Sequence, residues 1–180
     1  CIRDSLSLTA SLLSLKEIIL QVLADIFITY PQLLAPPPAD PDMTEQSELP
    51  EENPRLRPLV KVLRKGVTSE NTRVSRVACE AAQKLVLYNL LPPEHTEEIV
   101  KAFTLLYFDP EASLKPAVTQ ALSYFMPVFC HSKIRNAQLM ANVAVPAVSK
   151  LLHMRDEIVE DEEAEMVGWP IITGHLSDWT

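Results

Sequence analysis

The feature that most constrains this chain is a pair of adjacent apolar stripes at helical spacing. The two stripes are Leu56, Leu59, Val60, Leu63 and Val67, then Val74, Ala78, Ala81, Leu85 and Tyr88. Apolar residues that recur every three or four positions mark the buried face of an amphipathic helix. Gly66, Thr68 and Ser69 are expected to form the turn between the stripes. Because neither helix can bury its stripe alone, the sequence predicts a helical hairpin with an apolar seam.

The hairpin recurs 40 residues further along the chain. Seven of its apolar positions again fall on apolar residues, which are Ile99, Val100, Phe103, Leu114, Val118, Ala121 and Phe125. A period near 40 residues with two helices per unit is typical of HEAT and armadillo repeats. We therefore predict an all-α fold, a HEAT-repeat α-solenoid of about four helical hairpins with incomplete units at its ends.

The same spacing predicts the remaining helices. A helix over 12–30 carries the stripe Leu15, Ile19, Val22 and Ile26, which matches the second stripe of the hairpin with a shift of 59. Further helices are expected over 55–67, 70–91, 94–108, 112–131 and 134–154, with a short closing helix over 166–179. Inward residues of the last two are Leu139, Met140, Val143 and Val148, then Val167, Ile171, Ile172, Leu176 and Trp179. Pro127 predicts a kink or an early helix end, and Pro146 predicts a bend.

Charge divides the chain into scaffold and loops. Residues 35–54 and 156–165 carry 13 of the 24 acids and no Lys or Arg, so the other 150 residues hold 11 acids and all 16 bases. Such segments cannot bury enough apolar surface to order themselves, and we expect mobile loops there. The expected division is 1–34 (partial repeat), 35–54 (acidic, Pro-rich loop), 55–155 (central repeats), 156–165 (acidic loop) and 166–180 (closing helix).

Composition argues against several classes of function. With 3 glycines, no phosphate-binding glycine pattern is possible, and no apolar run approaches the ~18 residues that a membrane span needs. The 3 cysteines show no paired spacing and the 4 histidines no metal-ligand spacing, so we expect no disulfide framework, metal or cofactor. Cys130 and His131 are adjacent on a helix and point apart, so no catalytic residues are assigned. The chain begins with Cys, and we expect a fragment of a longer protein.

The chemically informative feature is a basic run in the first hairpin. It consists of Arg55, Arg57, Lys61, Arg64, Lys65, Arg73 and Arg76. Seven cations within 22 residues, with Glu70 as the one acid among them, could neutralise the phosphates of a DNA duplex without reading its sequence. No aromatic residues interleave to stack single-stranded bases. The alternative is a solvated helix face that is balanced by the acidic loop beside it.

A resemblance to a known family rests on the second half of the chain. The segments that carry it are Leu122–Ser132 (LSYFMPVFCHS), Asn136–Pro146 and Asp178–Thr180 (DWT), and the opening SLKEIILQVLADIFITYPQLL also fits. In these segments the chain resembles the C-terminal HEAT region of the CAP-G-type subunits of condensin, of fungal type. The resemblance covers most of the chain, although the two acidic loops match in character alone.

This resemblance implies a non-enzymatic subunit that binds the kleisin subunit of condensin. Together with kleisin it would hold double-stranded DNA without sequence preference, in the nucleus and on chromosomes, and in the cytoplasm for part of the cell cycle. ATP hydrolysis would belong to the structural-maintenance-of-chromosomes subunits, which it would meet indirectly, and no membrane would be involved. No individual kleisin contacts follow from it. The alternative is an importin-like or adaptin-like HEAT adaptor that binds a peptide and no DNA, for which the basic run is not required.

Overall fold

The computed structural model describes residues 2–35, 53–110, 114–158 and 167–180. Within these ranges the chain is all-helical and contains no strand, which confirms the predicted fold class. The helices are α1 (Ile2–Thr29), α2 (Leu56–Val67), α3 (Thr72–Leu87), α4 (Pro93–Tyr107), α5 (Pro116–Ser132), α6 (Ile134–Ile158) and α7 (Trp169–Trp179), with a short 3₁₀ turn at Pro31–Leu33.

The helices form the two layers expected of a HEAT-type solenoid. In one layer α3 packs between α1 and α5, and α5 also contacts α7. In the other layer α4 packs between α2 and α6. Within each repeat the two layers join as the hairpins α2–α3, α4–α5 and α6–α7, and α1 occupies the place of a second helix. We call α2, α4 and α6 the first-helix layer, and α1, α3, α5 and α7 the second-helix layer.

Local chemistry explains where several helices begin. The side-chain oxygen of Asn71 accepts hydrogen bonds from the backbone N–H groups of Arg73 and Val74, both at 3.1 Å, and so caps α3. Proline stands in the first turn of α4, α5 and α7, where the missing N–H has no helical partner to lose. These signals place the hairpin turns within a few residues of their predicted positions.

The core confirms most of the predicted stripes. The whole first stripe on α2 is buried, as are Val74, Ala78, Ala81 and Leu85 on α3. Outside α1, three predicted core residues are exposed instead, namely Tyr88, Leu114 and Ile171. Tyr88 stands just past the end of α3, Leu114 precedes the start of α5, and Ile171 points away from the side of α7 that buries Ile172.

The predicted stripe of α1 is wrong. Leu15, Ile19, Val22 and Ile26 are exposed, whereas the buried residues include Leu20, Ala24 and Phe27. The latter three lie 58 positions before Ala78, Ala82 and Leu85, so the repeat shift is 58 rather than 59. Apolar residues surround α1 on nearly all sides, and its periodicity therefore fits two faces equally well.

Gly66 lies inside the last turn of α2, so its predicted role in the turn is wrong. A Cβ atom at this position would stand 2.7 Å from the Cβ of Ala78 and 3.7 Å from Leu20 Cδ1. Glycine is therefore required for the close approach of α2 to α3 beneath α1.

The two interior prolines do not end their helices. Helix α5 continues beyond Pro127 to Ser132, and α6 continues beyond Pro146 to Ile158, so an early end at Pro127 is wrong. A proline inside a helix removes one backbone hydrogen bond, and tertiary packing on both sides maintains the helix across it.

Most residues of the predicted acidic loops lie outside the described residues, namely 36–52 of the first and 159–165 of the second. Asn53 follows residues 36–52, and Leu33 and Ala35 precede them. The side-chain amide of Asn53 donates hydrogen bonds to the carbonyl oxygens of Leu33 (2.9 Å) and Ala35 (2.7 Å). Asn53 is buried and thereby joins the end of α1 to the start of α2. Across the described ranges, every helix is too short or too polar to cross a membrane.

Candidate nucleic-acid interface

Four of the predicted cations form a row along the exposed side of α2. Arg57, Lys61, Arg64 and Lys65 are all exposed, because the opposite side of the helix buries Leu59 and Leu63. At 1.5 Å per residue the row is about 12 Å long. We call these four residues the α2 cation row.

Within the described ranges, three of the seven cations form ion pairs with carboxylates. Arg64 Nη1 lies 3.0 Å from Glu98 Oε2 on α4, and Arg73 Nη2 lies 3.0 Å from Glu17 Oε2 on α1. Arg76 Nη1 lies 2.9 Å from Glu80 Oε1 one helical turn away. The arginines of these pairs remain largely in solvent, and the pairs of Arg64 and Arg76, whose carboxylates are exposed as well, contribute about 1 kcal/mol or less each. Their charge therefore remains available to a phosphate.

The seven cations do not share one face. Arg64 and Lys65 end α2, and Arg73 begins α3, so these three lie around the tip of the hairpin. Arg55 and Arg57 lie at the other end of α2. Arg76 follows Arg73 along α3, in the second-helix layer. Of the seven, Arg64, Lys65 and Arg73 are therefore the cations that the hairpin tip brings near one another.

A groove beside the tip adds two cations that the sequence analysis missed. The cavity, of about 520 Å³, lies between α2, α4 and the start of α5. Its charged lining consists of Arg64, Glu98, Lys101, Asp109 and Lys115. Lys101 stands 40 positions after Lys61, so the repeat shift itself could have identified it. The groove thus carries three cations and two acids, and it connects the α2 cation row to the next hairpin.

Lys61 and Lys65 are the cations best suited to meet a phosphate. Both are exposed, and within the described part of the chain neither forms an ion pair. An exposed ammonium group releases counterions when it binds DNA. The arrangement supports contact with a phosphate backbone rather than with base edges.

The two described thiols are not suited to nucleophilic chemistry. Burial raises the pKa of the Cys79 thiol to about 12, although nearby Lys115 lowers it. Burial, and then the negative charge of Asp178, raises the pKa of the Cys130 thiol to about 12. A thiol with such a pKa is protonated at neutral pH and reacts slowly. Among the described residues no group of His, Cys, Asp and Glu could hold a metal ion.

The segments that carry the family resemblance meet in the structure. His131 Nε2 at the end of α5 lies 3.6 Å from Asp178 Oδ2 on α7. The Asn136 side chain donates to the Phe129 carbonyl oxygen (2.9 Å) and to Ser132 Oγ (3.0 Å), which fixes the turn from α5 into α6. Trp179 is buried in an aromatic cluster with Tyr107, Phe108 and His175. These residues therefore hold α7 against α4 and α5.

A second exposed surface lies on the second-helix layer. Tyr88 on the end of α3 is exposed, and so are Tyr124 (69%) and Val128 (64%) on α5. Tyr88 and Val128 occupy the same position in successive repeats, 40 residues apart. Exposed aromatic and apolar residues of this kind are typical of protein–protein contact sites.

Comparison with known proteins identifies the family. Residues 5–180 match the family model described as nuclear condensing complex subunits, C-terminal domain. Over 111 residues the chain is 27% identical to condensin complex subunit 3 of Schizosaccharomyces pombe. That match spans 62% of this chain and 12% of the relative. Since the family model covers nearly all of it, the chain belongs to the family of nuclear condensing complex subunits and corresponds to their C-terminal domain.

Proposed function

We propose that this chain is part of a non-catalytic subunit of condensin that acts in mitotic chromosome condensation. In this role it binds the kleisin subunit and, together with it, holds double-stranded DNA without reading its sequence. It meets the structural-maintenance-of-chromosomes ATPases indirectly and works in the nucleus, on chromosomes. The family match over residues 5–180 supports the condensin assignment, and the exposed α2 cation row supports the contact with DNA.

The α2 cation row carries the DNA part of the proposal. Lys61 and Lys65 project from a rigid helix that packs against its neighbours through buried Leu59, Val60 and Leu63. We propose that Lys101 and Lys115, which line the adjoining groove, are further phosphate contacts. An importin-like or adaptin-like adaptor would not require this positive surface, and the family match also favours condensin.

The DNA contact is tested with the double variant Lys61→Glu/Lys65→Glu in the assembled condensin complex. We expect weaker binding to duplex DNA and a salt dependence that is shallower by about two units of slope, because two phosphate contacts are lost. The melting temperature should stay unchanged, since both side chains lie in solvent.

The matched control is Lys133→Glu/Lys150→Glu, which makes the same change of charge at two exposed lysines away from the hairpin tip. It should leave affinity and salt dependence close to wild type. Equal losses of DNA affinity in both double variants would show that net charge alone explains the loss. That result would contradict a specific role for the α2 cation row. Arg73→Glu is a poorer test, because it would place a second carboxylate beside Glu17 and disturb the packing of α1 on α3.

We place the kleisin contact on the exposed surface of the second-helix layer, at Tyr88, Tyr124 and Val128. Substituting Tyr124→Ser and Val128→Ser together should weaken the capture of a kleisin segment, because apolar contact area is lost. Val145→Ser, at an exposed valine of α6, is the control and should bind kleisin normally. Normal capture by the Tyr124/Val128 variant in a pull-down at matched concentrations would remove kleisin from this surface.

A further inference from the structure

One side of α1 is apolar and open to solvent from residue 12 to residue 26. Its members, which we call the α1 apolar face, are Leu12, Leu15, Ile19, Val22 and Ile26. The other side of the helix buries Leu20 and Ala24 against the rest of the fold. Contiguous exposed apolar residues on this scale mark an interaction site rather than an ordinary solvated surface.

Repeat symmetry indicates what covers the α1 apolar face. Leu15, Val22 and Ile26 lie 58 positions before Arg73, Glu80 and Lys84 on α3, and Ile19 lies 58 before Val77. On α3 this is the side that meets α1, because Arg73 pairs with Glu17 and Lys84 Nζ lies 2.9 Å from Asp25 Oδ1. The α1 apolar face therefore corresponds to the side on which α3 contacts α1, that is, the side on which a second helix contacts the second helix of the preceding repeat.

The α1 apolar face does not have the composition of an end cap. Solenoids end on repeats whose outer face is polar, because nothing else covers that face. Helix α7, the last described helix of the second-helix layer, exposes Thr173, Ser177 and Asp178 beside Ile171. Among its described side chains, helix α1 exposes the five members of the α1 apolar face and also Ile18. Its outer side therefore has the character of an internal contact in the stack.

We infer that the α1 apolar face binds a further second helix of the same solenoid, aligned in parallel with α1 and presenting an apolar stripe. We assign this helix to further polypeptide outside these 180 residues. The Schizosaccharomyces pombe relative is much longer than this chain, since the match spans 12% of that protein. The alternatives are a second copy of this chain and a segment of kleisin. This inference is independent of the proposed DNA and kleisin contacts, and its failure would leave both intact.

The test is the rate of maleimide labelling at Ile19→Cys in the protein at its natural length, with Val145→Cys as the control. Both positions are exposed here, whereas Cys79 and Cys130 are buried and react slowly. A covering helix should slow labelling at Ile19→Cys by about tenfold or more relative to Val145→Cys, because reaction then requires local opening. Val22→Cys should be protected to a similar extent.

Three outcomes would overturn the inference. Equal labelling at the two positions would show that the face is open in the natural protein. Protection that is lost on dilution to nanomolar concentration would assign the face to a second copy of the chain. Protection that appears after a kleisin segment is added, and is absent without it, would assign the face to kleisin.

Discussion

Gly66 shows how a single residue sets the distance between two helices. A Cβ atom here would stand 2.7 Å from Ala78 Cβ, and both atoms belong to well-packed helices that cannot easily separate. Gly66→Ala should therefore lower the free energy of unfolding by about 1–3 kcal/mol, in spite of the better helix propensity of alanine. Urea unfolding measures this change.

Gly174 provides the matched control for Gly66. It also lies inside a helix, α7, but a Cβ atom there would meet nothing within 4 Å. Gly174→Ala should leave stability unchanged or raise it by up to about 1 kcal/mol. Destabilisation of the same size in both variants would contradict the close-approach explanation.

The buried thiols of Cys79 and Cys130 predict a loss of stability at alkaline pH. Burial raises both pKa values from 9.0 to about 12, so the folded protein keeps protons that the unfolded chain releases near pH 9. Their contribution to the free energy of unfolding is complete below about pH 9 and is lost as the pH rises from 9 towards 12. Removing both thiols should therefore make the free energy of unfolding depend less on pH above about pH 9.

The measurement compares wild type with Cys79→Ala/Cys130→Ala by urea unfolding at several pH values between 8 and 10.5. The alanine variant is expected to be less stable at pH 8, because some buried volume is lost. The difference between the two proteins should shrink as the pH rises. A difference that stays constant across this range would exclude thiol titration as its cause.

At the scale of helices, two ion pairs tie α1 to α3 with unequal strength. Glu17 is 13% exposed and pairs with Arg73, whereas Asp25 is 62% exposed and pairs with Lys84. Arg73→Gln should cost about 1–2 kcal/mol of unfolding free energy, because it leaves a nearly buried carboxylate without its partner. Lys84→Gln should cost about 0.5 kcal/mol or less, as at other exposed pairs.

Thermal unfolding of the two single variants distinguishes these costs. Arg73→Gln should melt several degrees below wild type, and Lys84→Gln within about one degree of it. Equal melting temperatures would show that the burial of Glu17 adds nothing to its pair.

The helices that were predicted correctly are those whose patterns allow one solution. On α2, charged residues alternate with Leu59, Val60 and Leu63, so one face alone can be buried. On α1 the pattern Leu12, Leu13, Leu15 continues with apolar residues on every side, and the sequence does not determine which face meets α3. The α1 apolar face, most of which was predicted to be buried, is exposed in the structure. It is also the face for which we infer a partner outside the described fold.

The candidate site was predictable to the extent that it is local. The α2 cation row lies within nine consecutive residues and is visible as a basic run. The acids that pair with Arg64 and Arg73 lie 34 and 56 positions away, so pairing depends on the tertiary fold. Lys115 joins the groove for the same reason, since it is brought to Arg64 by the packing of consecutive repeats.

At the scale of the whole molecule, charge is organised by layer and by segment. The formal net charge is −8, although 13 of the 24 acids lie in two segments that carry no base. The helical scaffold is consequently positive, and α2 presents its cations on the first-helix layer while Tyr88 and Tyr124 mark the second-helix layer. This separation would allow one chain to contact DNA and kleisin on different surfaces at the same time.

We propose that this chain and kleisin together hold duplex DNA through phosphate contacts. The most direct measurement is a salt-titrated gel shift on a duplex of about 45 base pairs, with and without the kleisin segment. We expect binding in the presence of kleisin, with a logarithm of affinity that falls steeply and linearly against the logarithm of salt concentration. Absence of binding in both cases, or binding with no salt dependence, would contradict it.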